Sequence, residues 1–306
     1  MIKKIDENRS NLVLVDANAF IHSSFHAYQA LHDTKGNDQR VLRGVIDTLI
    51  TLAHRLPSID NVVLVFDPED GHKYRKTIYP QYKENRPAQN KDLIVQKNNT
   101  INIIKNFIGL PVVVFNGYEA DDAIGSLARL YSNSYQVIIV SPDKDLAQLV
   151  DSNTLLMKKL RGEGNKGYAL LNELDVMEEF GVMPLQIPDW LALMGDTVDN
   201  LPGIKKIGAK TSAKILNEYK SIEHLLAFSH ELENRVLQEQ IILHAEQLKI
   251  VKHLATIKTD LEIKTQFEDI MSTSSNIRGA CNYKSNLNKL CTFFKWSDSY
   301  LNIFQY

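Results

Sequence analysis

Four short apolar runs, residues 12–15, 62–66, 112–115 and 137–140, consist of Val, Leu, Ile and Phe and do not alternate with polar residues. Runs of that length and branching read as strands buried on both faces. Longer segments with apolar residues at helical spacing lie between them: Val41, Val45, Ile46, Leu49 and Leu52 over 41–56, and Leu93, Ile94, Ile101, Ile104 and Ile108 over 93–108. Strand alternating with helix predicts an α/β fold, a mainly parallel central sheet with helices on both faces. After about residue 175 the strand signal fades and helices dominate.

Each run leads into carboxylates. The first is followed by Asp16 and the second by Asp67. The third passes through 116–118 into Glu119, Asp121 and Asp122, and the fourth leads into Asp143 and Asp145. The carboxyl ends of strands in an open α/β sheet form the ligand crevice, so these seven acids are expected to converge. A single Asp at a strand end is more often a turn or helix cap. Four strands in succession resist that explanation, because clustered like charges need counter-cations. An all-oxygen donor set without clustered His or Cys selects a hard cation, Mg²⁺ or Mn²⁺. There are more acids than one octahedral ion needs. Two ions about 4 Å apart would use them, an arrangement suited to phosphodiester hydrolysis.

The segment 195–216, GDTVDNLPGIKKIGAKTSAKIL, points the same way. Asp196 and Asp199 add two acids three residues apart. Gly203 to Gly208 reads as a helix-hairpin-helix turn whose glycines admit a phosphate, with the next helix N-terminus behind it. Lys205, Lys206 and Lys210 supply charge for a nucleic-acid backbone, a sequence-blind and salt-dependent contact. The formal net charge of -2 masks this, because setting the nine acids aside leaves +7. The 306 residues, 44% hydrophobic and 24% charged, suit one large or two modest domains. The first residues do not read as a signal peptide, and no apolar run has the ~20 residues of a membrane span. Cys281 and Cys291 lack metal-type spacing and read as reduced thiols of a cytoplasmic protein.

The stretches LVDANAFIHSSFHA, VFDPEDGHKYRKTIYPQYKENRP, GYEADDAIGSLA, SPDKDLAQLV and LALMGDTVDNLPGIKKIGAKTSAKIL, and more loosely HLATIKTDLEI, occur in an order and spacing that closely resemble the bacterial 5′-nuclease family. That family comprises the 5′→3′ exonuclease domain of DNA polymerase I and its flap-endonuclease relatives. The resemblance implies a PIN-like nuclease core over 1–185 with a helical arch at about 74–105. A helix-hairpin-helix region with C-terminal helices would follow over 186–306. It implies nine metal-site acids: Asp67, Glu119 and Asp121 mainly for one ion, and Asp143, Asp145 and Asp199 mainly for the other. Asp16, Asp122 and Asp196 would act through water or from outside the coordination sphere. Lys83 would assist at the scissile phosphate and Arg86 would clamp it. Arg75 matches an arginine placed near the flap. Tyr82 either stacks on a base or packs inside the arch.

The expected activity is two-metal hydrolysis of DNA at 5′ ends, nicks and 5′ flaps, leaving 5′-phosphate and 3′-hydroxyl, in primer removal and repair. RNA primers paired with DNA would also be substrates. A K⁺ ion would sit in the hairpin, and the protein would act as a monomer. Departures from the family pattern are Ala17-Asn18 after Asp16, where Gly is usual, and Ser23 in place of Arg. A PIN-like ribonuclease would lack the hairpin and arch, and a non-catalytic DNA-binding relative would have lost metal acids.

Overall fold

The computed structural model describes residues 5–6, 8–32, 36–56, 61–159 and 167–263. Both cysteines, the Ser/Asn-rich 272–289 expected as a loop, and the last helix expected after it lie outside the described residues. All four expected strands form: β1 (Asn11–Asp16), β2 (Asn61–Phe66), β3 (Val112–Val114) and β4 (Gln136–Val140). Two more, β5 (Thr154–Lys159) and β6 (Tyr168–Leu171), extend the sheet beyond the sequence reading. The strand order is β3-β2-β1-β4-β5-β6, with β1 to β5 parallel and β6 antiparallel to β5.

Alternate residues of each strand point to opposite faces, and both faces are covered. Leu12 and Leu14 join a core with α5 (Ala120–Tyr131), α7 (Ile187–Met194), α8 (Ala209–Tyr219) and α11 (Ala245–Ala255). Val13 and Val15 join a second core with α1 (Ala17–Ala27), α2 (Arg40–Arg55) and α4 (Lys91–Ile103). This explains why the strand runs carry no polar alternation. The remaining helices are α3 (Lys73–Ile78), α6 (Glu173–Phe180), α9 (Ile222–Ala227) and α10 (Arg235–Leu243). The chain moves outward from β1 to β2 and β3, then returns to place β4 on the other side of β1. The reversal opens a crevice at the carboxyl ends of β1 and β4.

The stretch expected as an arch contains α3, a series of turns over 80–85, and α4, which runs on into a π-helical turn, Ile104–Ile108. Its turns are tied to the loop after α7. The Lys83 N–H donates to Asp199 O at 3.0 Å, Asn85 Nδ2 to Thr197 O at 2.6 Å, and Asn200 Nδ2 to Gln81 O at 2.7 Å.

That loop is itself tightly made. Gly195 has φ +78°, and a Cβ on Gly203 would lie 2.2 Å from the Met194 carbonyl carbon. Gly203 therefore serves backbone-to-backbone packing inside the hairpin. Gly208 has open space around it and precedes α8, whose first N–H groups receive no side-chain cap. The chain turns at Lys205 and Lys206, both exposed, as is Lys210.

A Gly203→Ala substitution forces two backbone segments apart and is expected to destabilise the protein by about 1–3 kcal/mol. Urea unfolding with an unchanged midpoint would contradict this packing account.

Candidate active site

The first acids combine capping with crevice chemistry. Asp16 caps α1, with Oδ1 accepting from the Ala19 N–H at 3.4 Å, while Oδ2 accepts from Ser141 Oγ at 2.7 Å across the β1–β4 crevice. Asp67 Oδ1 accepts from the Ala120 N–H at 2.6 Å, at the start of α5. Asp143 Oδ1 accepts from the Asp145 N–H at 3.0 Å. Asp196 Oδ1 accepts from the N–H groups of Val198 and Asp199. Turn or cap bonding and membership of a carboxylate cluster are thus compatible, since one oxygen in a local bond fixes how the carboxylate is aimed.

Glu119, 4% exposed, sits at the N-cap of α5 and gathers the cations. His72 Nδ1 lies 2.7 Å from Oε1, which also meets the Lys83 ammonium. Tyr82 Oη donates to Oε2 at 2.8 Å, and Arg75 Nη1 approaches it at 3.1 Å. Burial opposes ionisation there, yet Lys83, His72 and Arg75 hold the Glu119 carboxyl well below the usual carboxylate range. Asp199 accepts from Arg86 Nη2 at 2.6 Å and from Tyr82 Oη at 3.0 Å, with Lys83 Nζ 3.5 Å away. Lys144, which the sequence reading left without a role, bridges Asp196 at 2.5 Å and Asp145 at 3.2 Å.

The acids with fewer cations are driven the other way. Burial, with added repulsion from Asp67 and Asp143, pushes Asp16 up to about 7 despite the Ser141 hydrogen bond. Burial and Asp143 push Asp145 up to about 7 against the pull of Lys144. Asp121 rises well above its ordinary range through burial and the charges of Asp143 and Asp16. Such mutual influence places Asp16, Asp67, Asp121 and Asp143 in one electrostatic neighbourhood.

Asp122 is different. Arg75, 4% exposed, donates to it through Nη1 at 2.5 Å and Nη2 at 2.8 Å, and the Lys258 N–H donates to Oδ1 at 2.9 Å. Both carboxylate oxygens are spent on protein donors. Arg75, expected near a flap, is instead held in a buried ion pair with Asp122 that joins α3 to α5, and Asp122, expected to act from outside the coordination sphere, also accepts from the Glu119 N–H at 3.2 Å. Tyr82 is 2% exposed, so its ring packs in the core rather than offering a face to a base.

Among the described residues no three acidic, His or Cys side chains are grouped as a ready metal cage. The oxygens are instead turned to Lys83, Arg86, Lys144, Tyr82, Ser141 and backbone N–H groups. The donor set nevertheless fits a hard divalent cation. It is all oxygen, its members repel one another, and buried Asp145 Oδ1 makes no hydrogen bond, only the ion pair with Lys144 at 3.2 Å. Residues missed by the sequence reading are His72, Lys144 and Ser141. Only Lys144 left a signal, standing between two acids at a strand end.

Two measurements test this site. Folded-state values of about 7 for Asp16 and Asp145, against an ordinary 3.8, mean that folding favours their protonated forms. Their contribution to stability is full below about pH 4 and lost as pH rises toward about 7. Mg²⁺ is therefore expected to raise the melting temperature at pH 8 and to change it little at pH 5. An equal increment at both pH values would refute the charge-repulsion account. Asp122→Ala removes the bidentate partner of buried Arg75, leaving Glu119 as its remaining carboxylate contact, and is expected to cost about 3–5 kcal/mol by chemical denaturation. A variant as stable as the wild type would contradict the structural weight given to this ion pair.

Comparison with known proteins agrees with this architecture. Residues 11–181 match the family model of the 5′-3′ exonuclease N-terminal resolvase-like domain, and residues 182–278 match that of the 5′-3′ exonuclease C-terminal SAM fold. A 5′-3′ exonuclease of Aquifex aeolicus is 35% identical over 263 residues, covering 85% of this chain and 86% of that protein. The DNA polymerase I of Pseudomonas aeruginosa is 34% identical over 271 residues, covering 86% of this chain but only 29% of the polymerase. The bacteriophage T5 D15 protein, co-crystallised with metal ions, shares the fold with a TM-score of 0.67 and 19% identity, over 96% of this chain and all of that one. The sheet, the hairpin loop and the carboxylates at the strand ends are those of a chain that belongs to the 5′-3′ exonuclease family.

Proposed function

We propose that this chain is a Mg²⁺-dependent 5′→3′ exonuclease and flap endonuclease, cleaving DNA phosphodiesters at free 5′ ends, nicks and 5′ flaps. One observation carries the reading: Lys83 and Arg86, on the turns between α3 and α4, are seated directly on Glu119 and Asp199 of the carboxylate cluster. Cations of the arch and acids from the sheet end and the loop after α7 share one place, which is where a phosphodiester needs both.

Two divalent ions, when bound, supply an activated water and neutralise the leaving oxygen. Asp67, Glu119 and Asp121 would hold one, and Asp143, Asp145 and Asp199 the other. Asp16 and Asp196 would orient these acids and bound water from outside. Mn²⁺ would substitute for Mg²⁺. The chain's own cations do the rest. Burial opposes the charge on Lys83, but Glu119 and Asp199 raise its pKa, so its ammonium is charged at any working pH. Relieved of part of that pairing, Lys83 and Arg86 can turn to the phosphate and offset charge that grows in the transition state. The left-handed backbone at Lys83, φ +54°, is a costly conformation for a non-glycine residue and supports this reading.

The division of labour follows the two segments. The core over 1–185 would cut. The region over 186–306 would grip duplex DNA through the first N–H groups of α8, Gly208, Lys205, Lys206 and Lys210, with K⁺ held by hairpin carbonyls. RNA primers paired with DNA would be accepted, since these contacts read the backbone. The protein would act as a monomer in the cytoplasm.

The test is a 5′-labelled flap on a nicked duplex, with Mg²⁺, Mn²⁺ or EDTA. Cleavage near the junction is expected with either metal and not with EDTA. An Asp121→Ala, Asp143→Ala double variant should be inactive. Lys83→Ala should lose roughly 100-fold or more in single-turnover rate while binding the flap normally. Tight binding of an intact flap by the wild type in both metals would sink the nuclease reading in favour of a DNA-binding relative.

A further inference from the structure

Four of the carboxylates, Asp143, Asp145, Asp196 and Asp199, line a groove of 1070 Å³ that does not end at them. Beyond Asp143, Asp145 and Asp196 it continues past Lys158 and Lys159 at the end of β5, to Glu179 and Phe180 at the end of α6. Strand β5 pairs parallel with β4, so its carboxyl end opens on the same edge of the sheet as the acids. Lys159 is exposed and forms no ion pair among the described residues. The Lys158 ammonium lies 5.6 Å from the Phe180 ring centroid and is paired with Glu179. Arg86 and Lys144 line the other part of the groove. Cations therefore flank a floor of carboxylates along its length.

We propose that Lys158 and Lys159 bind a backbone phosphate of the nucleic-acid substrate away from the cleaved bond. The inference rests on the nuclease reading and extends its footprint to a part of the groove outside both the arch and the hairpin. The chemistry is a sequence-blind ammonium–phosphate contact. A polyanion entering a groove floored with carboxylates is repelled there unless cations farther along attract it, and these two lysines stand in that position. The Lys158–Glu179 pair is accessible to solvent, its side chains 19% and 38% exposed, so a phosphate can compete with Glu179 for the ammonium. The Phe180 ring beside the Lys158 ammonium is itself fixed edge-on against Trp190, with centroids 5.7 Å apart.

The test measures equilibrium binding of a fluorescent 5′-flap duplex in EDTA over a salt series. The full chain is compared with Lys159→Gln, with the Lys158→Gln, Lys159→Gln double variant, and with Glu179→Gln. The double variant should bind several-fold to tenfold more weakly, with the slope of log K against log salt reduced by about one for each phosphate that is no longer neutralised. Glu179→Gln releases Lys158 and should tighten binding and steepen the slope. Lys159 is exposed at a strand end, so the single variant carries the test if the double variant unfolds. Wild-type affinity and slope in both lysine variants, with wild-type DNA binding intact, would overturn the proposal and leave the nuclease reading standing. A wild type that binds no DNA would overturn both.

Discussion

Repulsion among carboxylates at the carboxyl edge of the sheet is the constraint that organises this molecule. Five parallel strands present their ends together, and the chain places acids at four of them. Burial makes each charge costly and proximity makes the next one costlier. The structure answers with two devices. Some acids are covered by cations brought from elsewhere in the chain: Lys83 on Glu119, Arg86 on Asp199, Lys144 on Asp196. Others, Asp16, Asp121 and Asp145, have their ionisation pushed upward instead. A site under this strain attracts divalent cations, and the same repulsion that weakens the fold prepares the chemistry.

The cations come on elements that must be held in place, and the Arg75–Asp122 pair does much of that holding. Arg75 ties the base of the arch, α3, to α5 through Asp122 and to α11 through the Leu254 carbonyl at 2.9 Å. The segment after α11 runs across α5, where Lys258 donates its N–H to Asp122 and Leu261 donates to Ser126 Oγ. Gly125 lets it lie that close, since a Cβ there would meet Ile257 Cγ2 at 2.7 Å. Buried ion pairs of this kind contribute modest net stability, but losing one partner is expensive. Arch, sheet and C-terminal helices are therefore coupled through one guanidinium.

Much of this was legible in the sequence. Strands β1 to β4 announced themselves through branched apolar runs, because a strand buried on both faces tolerates no polar alternation. Strands β5 and β6 did not. Their sequences, TLLMKK and YALL, are poor in β-branched residues, and they are recruited by pairing with β4 and with each other. Residue-level roles were less legible. Asp121 and Asp122 are adjacent in sequence yet stand about 100° apart on a helix, so one faces the acids and the other a buried arginine. Arg75 looks like any basic residue of a basic stretch, and its partner lies 47 residues away. Gly203 matched a phosphate-binding pattern, but only the fold brings Met194 against it.

The sequence by itself determined where the carboxylates fall along the chain, that parallel strands would carry them to one edge, and that oxygen alone would meet any bound ion. Those facts follow from local pattern and from the geometry common to parallel sheets. Tertiary structure decided which acids remain in the cluster and which are consumed by buried pairs. It also decided which lysines neutralise the site and where the groove continues beyond it. Such choices depend on contacts between residues far apart in the chain, and no local pattern encodes the direction in which a side chain finally points.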